Sequence, residues 1–184
     1  MTTRTLPELI AGVDEIRRSP TDRGTVELIV VRPARGERQI VEHVTLDETD
    51  GVIGDCWLTR GSSSTPDGAA NPIAQVTLMN ARALALIAVD PERRALAGDQ
   101  LIVDFDLSGA SMPVGSRFSI GTAVLEVSPK AHTGCAKFVQ RYGADAQRFV
   151  NTEVGRELNV RGIFAVVITG GTVKLGDTIS KLVP

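Results

Sequence analysis

Arg117-Phe-Ser-Ile-Gly-Thr-Ala-Val-Leu-Glu-Val127 is the clearest structural signal in the chain. Apolar and polar residues alternate on both sides of Gly121, as expected for two short strands that bury one face and are joined by a tight turn. We predict strands over 117–120 and 122–127. A hairpin needs further strands beside it to be stable in water, so we searched outward from it for more.

Segments rich in β-branched residues flank the hairpin and are separated by glycine and proline turns. Further strands are predicted over 25–32, 39–46, 73–79, 101–107, 162–169 and 172–182. Helices are predicted over 5–18, over 81–88 with Asn80 as the N-cap, and over 136–150 with a break at Gly143. Many short strands with few short helices indicate a mainly β fold of the α+β class, closed into a mixed barrel in one domain.

Composition excludes several classes of function. The chain has 184 residues, is 42% hydrophobic and carries a formal charge of −2, which argues against nucleic-acid partners and against a membrane surface. No apolar run approaches the roughly 20 residues that span a bilayer, and the N-terminal segment lacks the apolar core of a secretory signal. Because Cys56 and Cys135 are expected to be free thiols, we expect a cytoplasmic protein.

Residues 47–72 form a long segment rich in Gly, Ser, Asp, Asn and Pro, and so long a loop in a compact domain is more often functional than idle. Asp55 is expected to fix a turn by accepting backbone N–H groups. Arg60, Ser62 and Ser63 offer a guanidinium, hydroxyls and amides that suit a phosphate. The alternative is that this stretch is a solvated turn.

Cys135 lies where a predicted strand gives way to a predicted helix. The positive end of a helix dipole, with Lys130, Lys137, Arg141 and His132 nearby in sequence, favours the thiolate of a cysteine whose ordinary pKa is about 8.5. Thr133 and Gly134 at the same helix end would suit an anion. A thiolate can attack, carry sulfur or ligate a soft metal; the alternative is a structural cysteine.

These residues, with several other segments, resemble the MOSC domains (molybdenum cofactor sulfurase C-terminal domains), in the form of the short stand-alone bacterial members. The most specific segment is His132-Thr-Gly-Cys-Ala-Lys-Phe138. The other matching segments, in chain order, are Gly51-Val-Ile-Gly-Asp55, Gln75-Val-Thr-Leu-Met-Asn-Ala-Arg82, Ala97-Gly-Asp-Gln-Leu101 with Asp106-Leu-Ser108, Leu125-Glu-Val127, Arg161-Gly-Ile163 and Gly176-Asp177.

The resemblance implies a β-barrel with a functional cysteine at the edge of a cleft, and Cys135 is the matching position. In that family the cysteine carries sulfur for metal–sulfur cofactor assembly, or binds the molybdenum of the pterin cofactor (molybdopterin) in reductases of N-hydroxylated compounds. Residues 47–184 would be the MOSC-like core. Residues 1–46 would add a helix and strands that complete the barrel or form a homodimer contact.

Several residues are predicted to contact the cofactor on the combined argument from residue type and resemblance. Asn80 is first a helix cap, Arg82 either faces solvent or pairs with the cofactor phosphate, and Arg161 is a single charge at the barrel rim. The full set of expected cofactor-binding residues is Arg60, Ser62, Ser63, Asn80, Arg82, His132, Thr133, Lys137, Arg141 and Arg161. Cys56 departs from the family pattern after Gly-Asp, and we expect it to be a buried packing residue.

The chain carries neither the pyridoxal-phosphate domain of the full-length sulfurases nor an Fe–S or flavin segment, since two cysteines cannot build a Cys₄ cluster site. We therefore expect a separate cysteine desulfurase or electron-transfer protein as its partner. Two alternatives stay open at this stage. One is a non-catalytic cofactor-binding or partner-binding module on the same barrel; the other is a thiol hydrolase or redox switch built on Cys135 and His132.

Overall fold

The hairpin around Gly121 forms as Arg117–Ile120 paired antiparallel with Ala123–Val127, and Gly121 adopts a φ of +55° in the turn. The computed structural model describes residues 3–182. Its strands, in chain order, are β1 (Arg23–Val31), β2 (Gln39–Val41), β3 (His43–Asp47), β4 (Gly51–Val52), β5 (Val76–Asn80), β6 (Leu101–Asp104), β7 (Arg117–Ile120), β8 (Ala123–Val127), β9 (Ile163–Thr169), β10 (Gly171–Lys174) and β11 (Thr178–Lys181).

The helices are short. They are α1 (Leu6–Ala11), α2 (Val13–Arg17), α3 (Trp57–Arg60), α4 (Ala81–Ile87), α5 (Ala136–Tyr142), α6 (Ala144–Val150) and α7 (Glu153–Glu157), with 3₁₀ helices over Pro72–Ala74 and Pro91–Ala97. None of the helices in the described part of the chain is long and apolar enough to cross a membrane.

Seven strands close into one barrel. Their order is β1-β6-β5-β9-β8-β7-β11, and β11 pairs back onto β1. The pairing of β5 with β6 is parallel, so these strands need a crossover connection, which α4 and the 3₁₀ helix Pro91–Ala97 supply. Strands β10, β3 and β4 form a separate small sheet. The single-domain mixed barrel is the fold class expected from the sequence.

Alternation along the strands divides the core into two layers. Leu78, Leu101 and Val103 belong to the cluster inside the barrel, whereas Met79 and Ile102 belong to a second cluster between the barrel wall and the helices. Successive side chains on a strand point to opposite faces, so each of these strands contributes side chains to both core layers. All five residues of β5 are buried for this reason.

Where the helices and strands differ from those predicted, contacts between distant residues explain the difference. The predicted helix 5–18 is divided at Gly12, where a Cβ would come within 2.9 Å of a methyl carbon of Leu86. The predicted strand 172–182 forms two strands, β10 and β11. Residues 47–72, predicted as loop, contain β4 and α3, because Trp57 is buried and its N–H is bound by Asp55.

Asn80 caps α4 as predicted, and it also joins that helix to the rest of the chain. Its Oδ1 accepts from the backbone N–H of Ala83 at 2.9 Å. Its Nδ2 donates to Ser19 Oγ and to the carbonyl of Phe105, both at 2.7 Å. The residue is 2% exposed, so both of its donors are used inside the protein.

We predict that Asn80→Ala lowers the free energy of unfolding by about 2–4 kcal/mol, because it removes a cap and leaves two buried acceptors unpaired. Asp90→Ala is the matched control: Asp90 also caps a helix, through the N–H of Glu92 at 3.0 Å, but in an exposed position. It should cost about 1 kcal/mol or less. Urea denaturation measures both, and equal losses would show that the buried amide bonds add nothing.

Candidate functional site

The turn Leu96–Asp99, between the 3₁₀ helix and β6, gathers arginines from distant parts of the chain. Arg32 Nη1 donates to the carbonyl of Gly98 at 3.0 Å, and Arg141 Nη1 donates to that of Leu96 at 2.6 Å. Arg161 binds Asp99 Oδ2 at 2.7 Å and the carbonyl of Ala97 at 3.3 Å. A fourth, Arg38, packs against Gly98, since a Cβ there would lie 2.8 Å from Arg38 Nη2.

Asp99 compensates the charge of Arg161 and approaches His132. The Asp99 side chain is fully buried, and its Oδ1 lies 3.5 Å from His132 Nδ1. The His132 ring packs against Phe164 with a centroid distance of 4.4 Å, and the Arg161 guanidinium lies 4.9 Å from the centroid of the Phe138 ring. These contacts fix the start of the segment that leads to Cys135.

His132 is held neutral. Its pKa is lowered from 6.5 to about 3, first by burial and then by the charge of Arg161, while Asp99 acts in the opposite direction. Asp99 is outweighed because its charge is already shared with Arg161 at the shorter distance. We find no hydrogen bond between His132 and the thiol of Cys135 among the described residues, and the pair of Cys135 with His132 considered for a thiol hydrolase lacks that contact here.

A pocket of about 460 Å³ opens beside this turn, and we call it the arginine pocket. Five cationic side chains line it, and no carboxylate does among the described lining residues. These cations are Arg32, Arg35, Arg38, Arg60 and Lys137. The other lining residues are small or hydroxyl-bearing, with Ser62 and Ser63 among them. Such a lining suits an anion with several negative charges.

Of these five cations, only Arg32 forms an ion pair with a carboxylate among the described residues. Arg32 forms a two-point ion pair with Asp55, at 2.7 Å and 2.9 Å. Asp55 also accepts the N–H of Trp57 at 2.8 Å, which is the turn-fixing role predicted for it. The pKa of the Arg38 guanidinium is lowered by partial burial and then by the nearby charges of Arg141 and Arg32. An anion would therefore relieve repulsion among these side chains.

Cys135 is exposed and free, and it is the N-cap residue of α5, the helix that presents Lys137 to the arginine pocket. The segment before it is tied on two sides. Gln147 Nε2 donates to the carbonyl of Gly134 at 2.9 Å, and Lys130 Nζ donates to Ser64 Oγ at 3.5 Å. Cys56 is free and buried, as predicted, and it lines the arginine pocket.

The predicted site residues fall into three groups. Arg60, Ser62, Ser63 and Lys137 meet in the arginine pocket, with Arg141 directly behind it at Leu96. His132, Thr133 and Arg161 line a second cleft of about 470 Å³. We call it the asparagine cleft, after the Asn151 and Asn159 that complete its polar lining together with Arg156.

Asn80 and Arg82 belong to neither pocket. Asn80 is buried under the barrel wall. Arg82 binds Asp104 at 2.7 Å and Glu15 at 3.0 Å, and these carboxylates raise the pKa of its guanidinium. The structure thus gives both residues a place in the packing of α4 against its neighbours.

Sequence reasoning missed four residues of the site. Arg32 is predicted as the end of a strand, and Arg35 and Arg38 are given no role, although three arginines in seven residues are a signal of an anion pocket. Asp99 lies in a motif that carries the family resemblance, but nothing in the sequence shows that it is the buried partner of Arg161.

The residues present suit a ligand that combines phosphate with a soft metal or a sulfur atom. Guanidinium groups bind phosphate through paired hydrogen bonds, and an exposed cysteine is a ligand for soft metals or a carrier of sulfur. The arginine pocket supplies the first and Cys135 the second. These donors are of the kinds that the phosphate and the metal of the molybdenum cofactor require, and Cys135 itself does not line the arginine pocket.

Comparisons with known proteins agree with the barrel. The profile of the MOSC domain family matches residues 70–180. YuaD from Bacillus subtilis is similar in structure, with a TM-score of 0.63 and 17% identity over 85% of this chain and 94% of that one. YiiM from Escherichia coli has a TM-score of 0.57 and 20% identity, over 88% of this chain and 70% of that one. YiiM from Geobacillus stearothermophilus has a TM-score of 0.58 and 13% identity, over 87% of this chain and 75% of that one. No curated protein matches significantly.

The contact between Gly134 and Gln147 predicts a non-additive pair of substitutions. A Cβ on Gly134 would overlap Gln147 Oε1, so Gly134→Ala must displace the side chain that holds this segment. We expect Gly134→Ala and Gln147→Ala each to lower the free energy of unfolding by about 1–2 kcal/mol, and the double variant to lose no more than either one. Urea denaturation of all four proteins measures the cycle, and additive losses would contradict the contact.

The neutral His132 predicts a stability that falls in mild acid. Below the unfolded-state pKa of about 6.5 the unfolded chain binds a proton that folded His132 does not, so unfolding is favoured as the pH drops towards 3. Between pH 7 and pH 5 this histidine should remove about 2 kcal/mol of stability. His132→Leu should show that much less pH dependence in urea denaturation, while the exposed His43→Gln keeps the wild-type slope. Parallel curves for wild type and His132→Leu would contradict the assignment.

Proposed function

The chain belongs to the MOSC domain family, and from this premise we propose that it binds a molybdenum cofactor, with the cofactor phosphate in the arginine pocket and Cys135 as the working thiol. In this proposal Cys135 ligates the molybdenum or carries a persulfide sulfur. The protein would then act as a molybdenum-dependent reductase of N-hydroxylated compounds or as a sulfur-transfer protein.

The observation that carries the proposal is the arginine pocket itself. Arg35, Arg38, Arg60 and Lys137 have no hydrogen bond to a carboxylate in the described part of the chain, although the chain as a whole has a charge of −2. Concentrating like charges in one pocket raises the free energy of the empty protein. A bound polyanion is the natural compensation, and the phosphate of a pterin cofactor supplies one.

Each group in the pocket has a distinct part in holding such a ligand. Arg38 and Arg60 would bind phosphate oxygens, with Ser62 and Ser63 as hydroxyl donors. The pairing of Arg32 with Asp55 keeps the floor of the pocket rigid. Lys137 would connect the pocket to α5, whose first turn follows Cys135. Arg141 supports the Leu96–Asp99 turn from behind.

The remaining chemistry lies at Cys135. When bound, the cofactor supplies a metal that changes its oxidation state and transfers oxygen or sulfur. The chain supplies an exposed thiol on a segment fixed by Gln147 and His132. Sulfur must come from a donor such as a cysteine desulfurase, and electrons must come from an electron-transfer protein. We propose one of these as the partner.

Loading the protein with cofactor tests the proposal. Wild type, Cys135→Ser and Cys56→Ser are expressed in a host that makes the cofactor, and each is analysed for molybdenum, for pterin fluorescence after oxidation and for sulfur released by cyanide. We expect wild type to contain molybdenum with pterin, or cyanide-labile sulfur, at up to one equivalent. Cys135→Ser should lose the metal or the labile sulfur by about tenfold or more, because a hydroxyl is a poor ligand for soft metals and cannot carry sulfur.

Each outcome decides something. Molybdenum in wild type indicates metal ligation, and labile sulfur without molybdenum indicates sulfur carriage. Pterin and metal both retained in Cys135→Ser at the wild-type level would contradict the role of Cys135 and support a non-catalytic binding module. Loss of molybdenum or labile sulfur in Cys56→Ser but not in Cys135→Ser would show that Cys56, in the lining of the arginine pocket, is the functional thiol instead of Cys135. Wild type with neither group would overturn the proposal.

A further inference from the structure

The asparagine cleft lies against the same segment as the arginine pocket. Ala131, His132 and Thr133 line the cleft, and Lys137, four residues after Thr133, lines the arginine pocket. Cys135 lies between these two groups in the sequence. The segment therefore contributes residues to both spaces, and Cys135 itself lines neither of them.

Two asparagine side chains of this cleft are held in place by hydrogen bonds from their amide N–H groups. Asn151 Nδ2 donates to the carbonyl of Gln147, and Asn159 Nδ2 donates to that of Leu107, both at 2.8 Å. These bonds orient the two side-chain amides. The Oδ1 atoms accept no hydrogen bond from the described residues and are not among the buried atoms that lack a partner, so both are at least partly exposed to solvent.

Asn159 also has an unusual backbone conformation. It is the one non-glycine residue with positive φ in the described chain, at +46°, and its carbonyl accepts from the N–H of Gly162 at 2.7 Å. Asparagine tolerates this conformation, and the turn places the side chain at the cleft.

The cleft is far less charged than the arginine pocket. Arg161 is compensated by Asp99, and His132 is held neutral, so Arg156 is its one uncompensated cation among the lining residues. The rest of the lining includes Ala131, Val150 and Gly155. A mainly apolar cavity with a few fixed polar groups is typical of a site for a small organic molecule.

We propose that the asparagine cleft binds an uncharged organic molecule whose N–H groups donate to Asn151 Oδ1 and Asn159 Oδ1. Under this proposal the arginine pocket binds an anionic group, and the asparagine cleft binds a neutral molecule with N–H groups. That this molecule is the substrate of chemistry at Cys135 rests on the proposed function; its binding does not.

Benzamide is the probe that tests the binding. Titrated into the full chain and followed by ligand-observed NMR, it should saturate with a Kd of about 1–10 mM, as expected for so small a ligand. N,N-dimethylbenzamide has the same ring and carbonyl but no N–H, and it should bind at least about tenfold more weakly because the two acceptors stay unpaired. Benzoate tests whether Arg156 controls the site instead.

Two tryptophan substitutions at exposed alanines separate this cleft from the arginine pocket. Ala131→Trp fills the cleft and should weaken benzamide binding at least about tenfold, while binding of inorganic pyrophosphate, the probe of the arginine pocket, stays within about twofold. Ala34→Trp, in the lining of the arginine pocket, should do the reverse. Retained pyrophosphate binding also shows that the Ala131→Trp protein is folded.

The proposal is overturned by any of four results: benzamide that does not saturate, dimethylbenzamide that binds as tightly, benzoate that binds more tightly, or benzamide binding that survives Ala131→Trp. These results are independent of cofactor loading. Failure of the cofactor experiment with benzamide binding intact would overturn the proposed function alone, and the reverse combination would overturn this inference alone.

Discussion

The buried carboxylate of Asp99 is the constraint on which both pockets depend. It forms the ion pair that allows the Arg161 guanidinium to lie inside the protein, and it ends the turn to which Arg32 and Arg141 donate hydrogen bonds. A buried cation without its partner costs about 3–5 kcal/mol. The turn therefore holds the end of strand β1, helix α5 and the entry to β9 together, through the Asp99–Arg161 ion pair and through hydrogen bonds from the three arginines to its backbone carbonyls.

The contrast between the two pockets follows from where the buried carboxylates lie. Asp99 compensates Arg161 on the side of the asparagine cleft, and Asp55 compensates Arg32 at the floor of the arginine pocket. Neither is bonded to Arg35, Arg38, Arg60 or Lys137, and those four give the pocket its charge. The net charge of −2 argues against a surface that is basic throughout, but it says nothing about a local cluster.

Features with local signals were predictable from the sequence, and features made by distant contacts were not. Alternation around Gly121, the break at Gly143 and the cap at Asn80 each depend on a few neighbouring residues, and the structure confirms all three. Strand β1 has three partners, β2, β6 and β11, and no local pattern specifies them. The arginines of residues 32–38 become a site only when this strand brings them beside Asp55 and the Leu96–Asp99 turn.

The position of Cys135 is set by the same long-range network rather than by its helix. Helix α5 has only seven residues, so its dipole alone is a weak constraint. The segment before the thiol is fixed instead by packing: the His132 ring lies on Phe164, and Gln147 fills the space that a side chain at Gly134 would need. A segment fixed in this way holds the exposed thiol of Cys135 at a constant place, with residues of the asparagine cleft before it in the sequence and Lys137 of the arginine pocket after it.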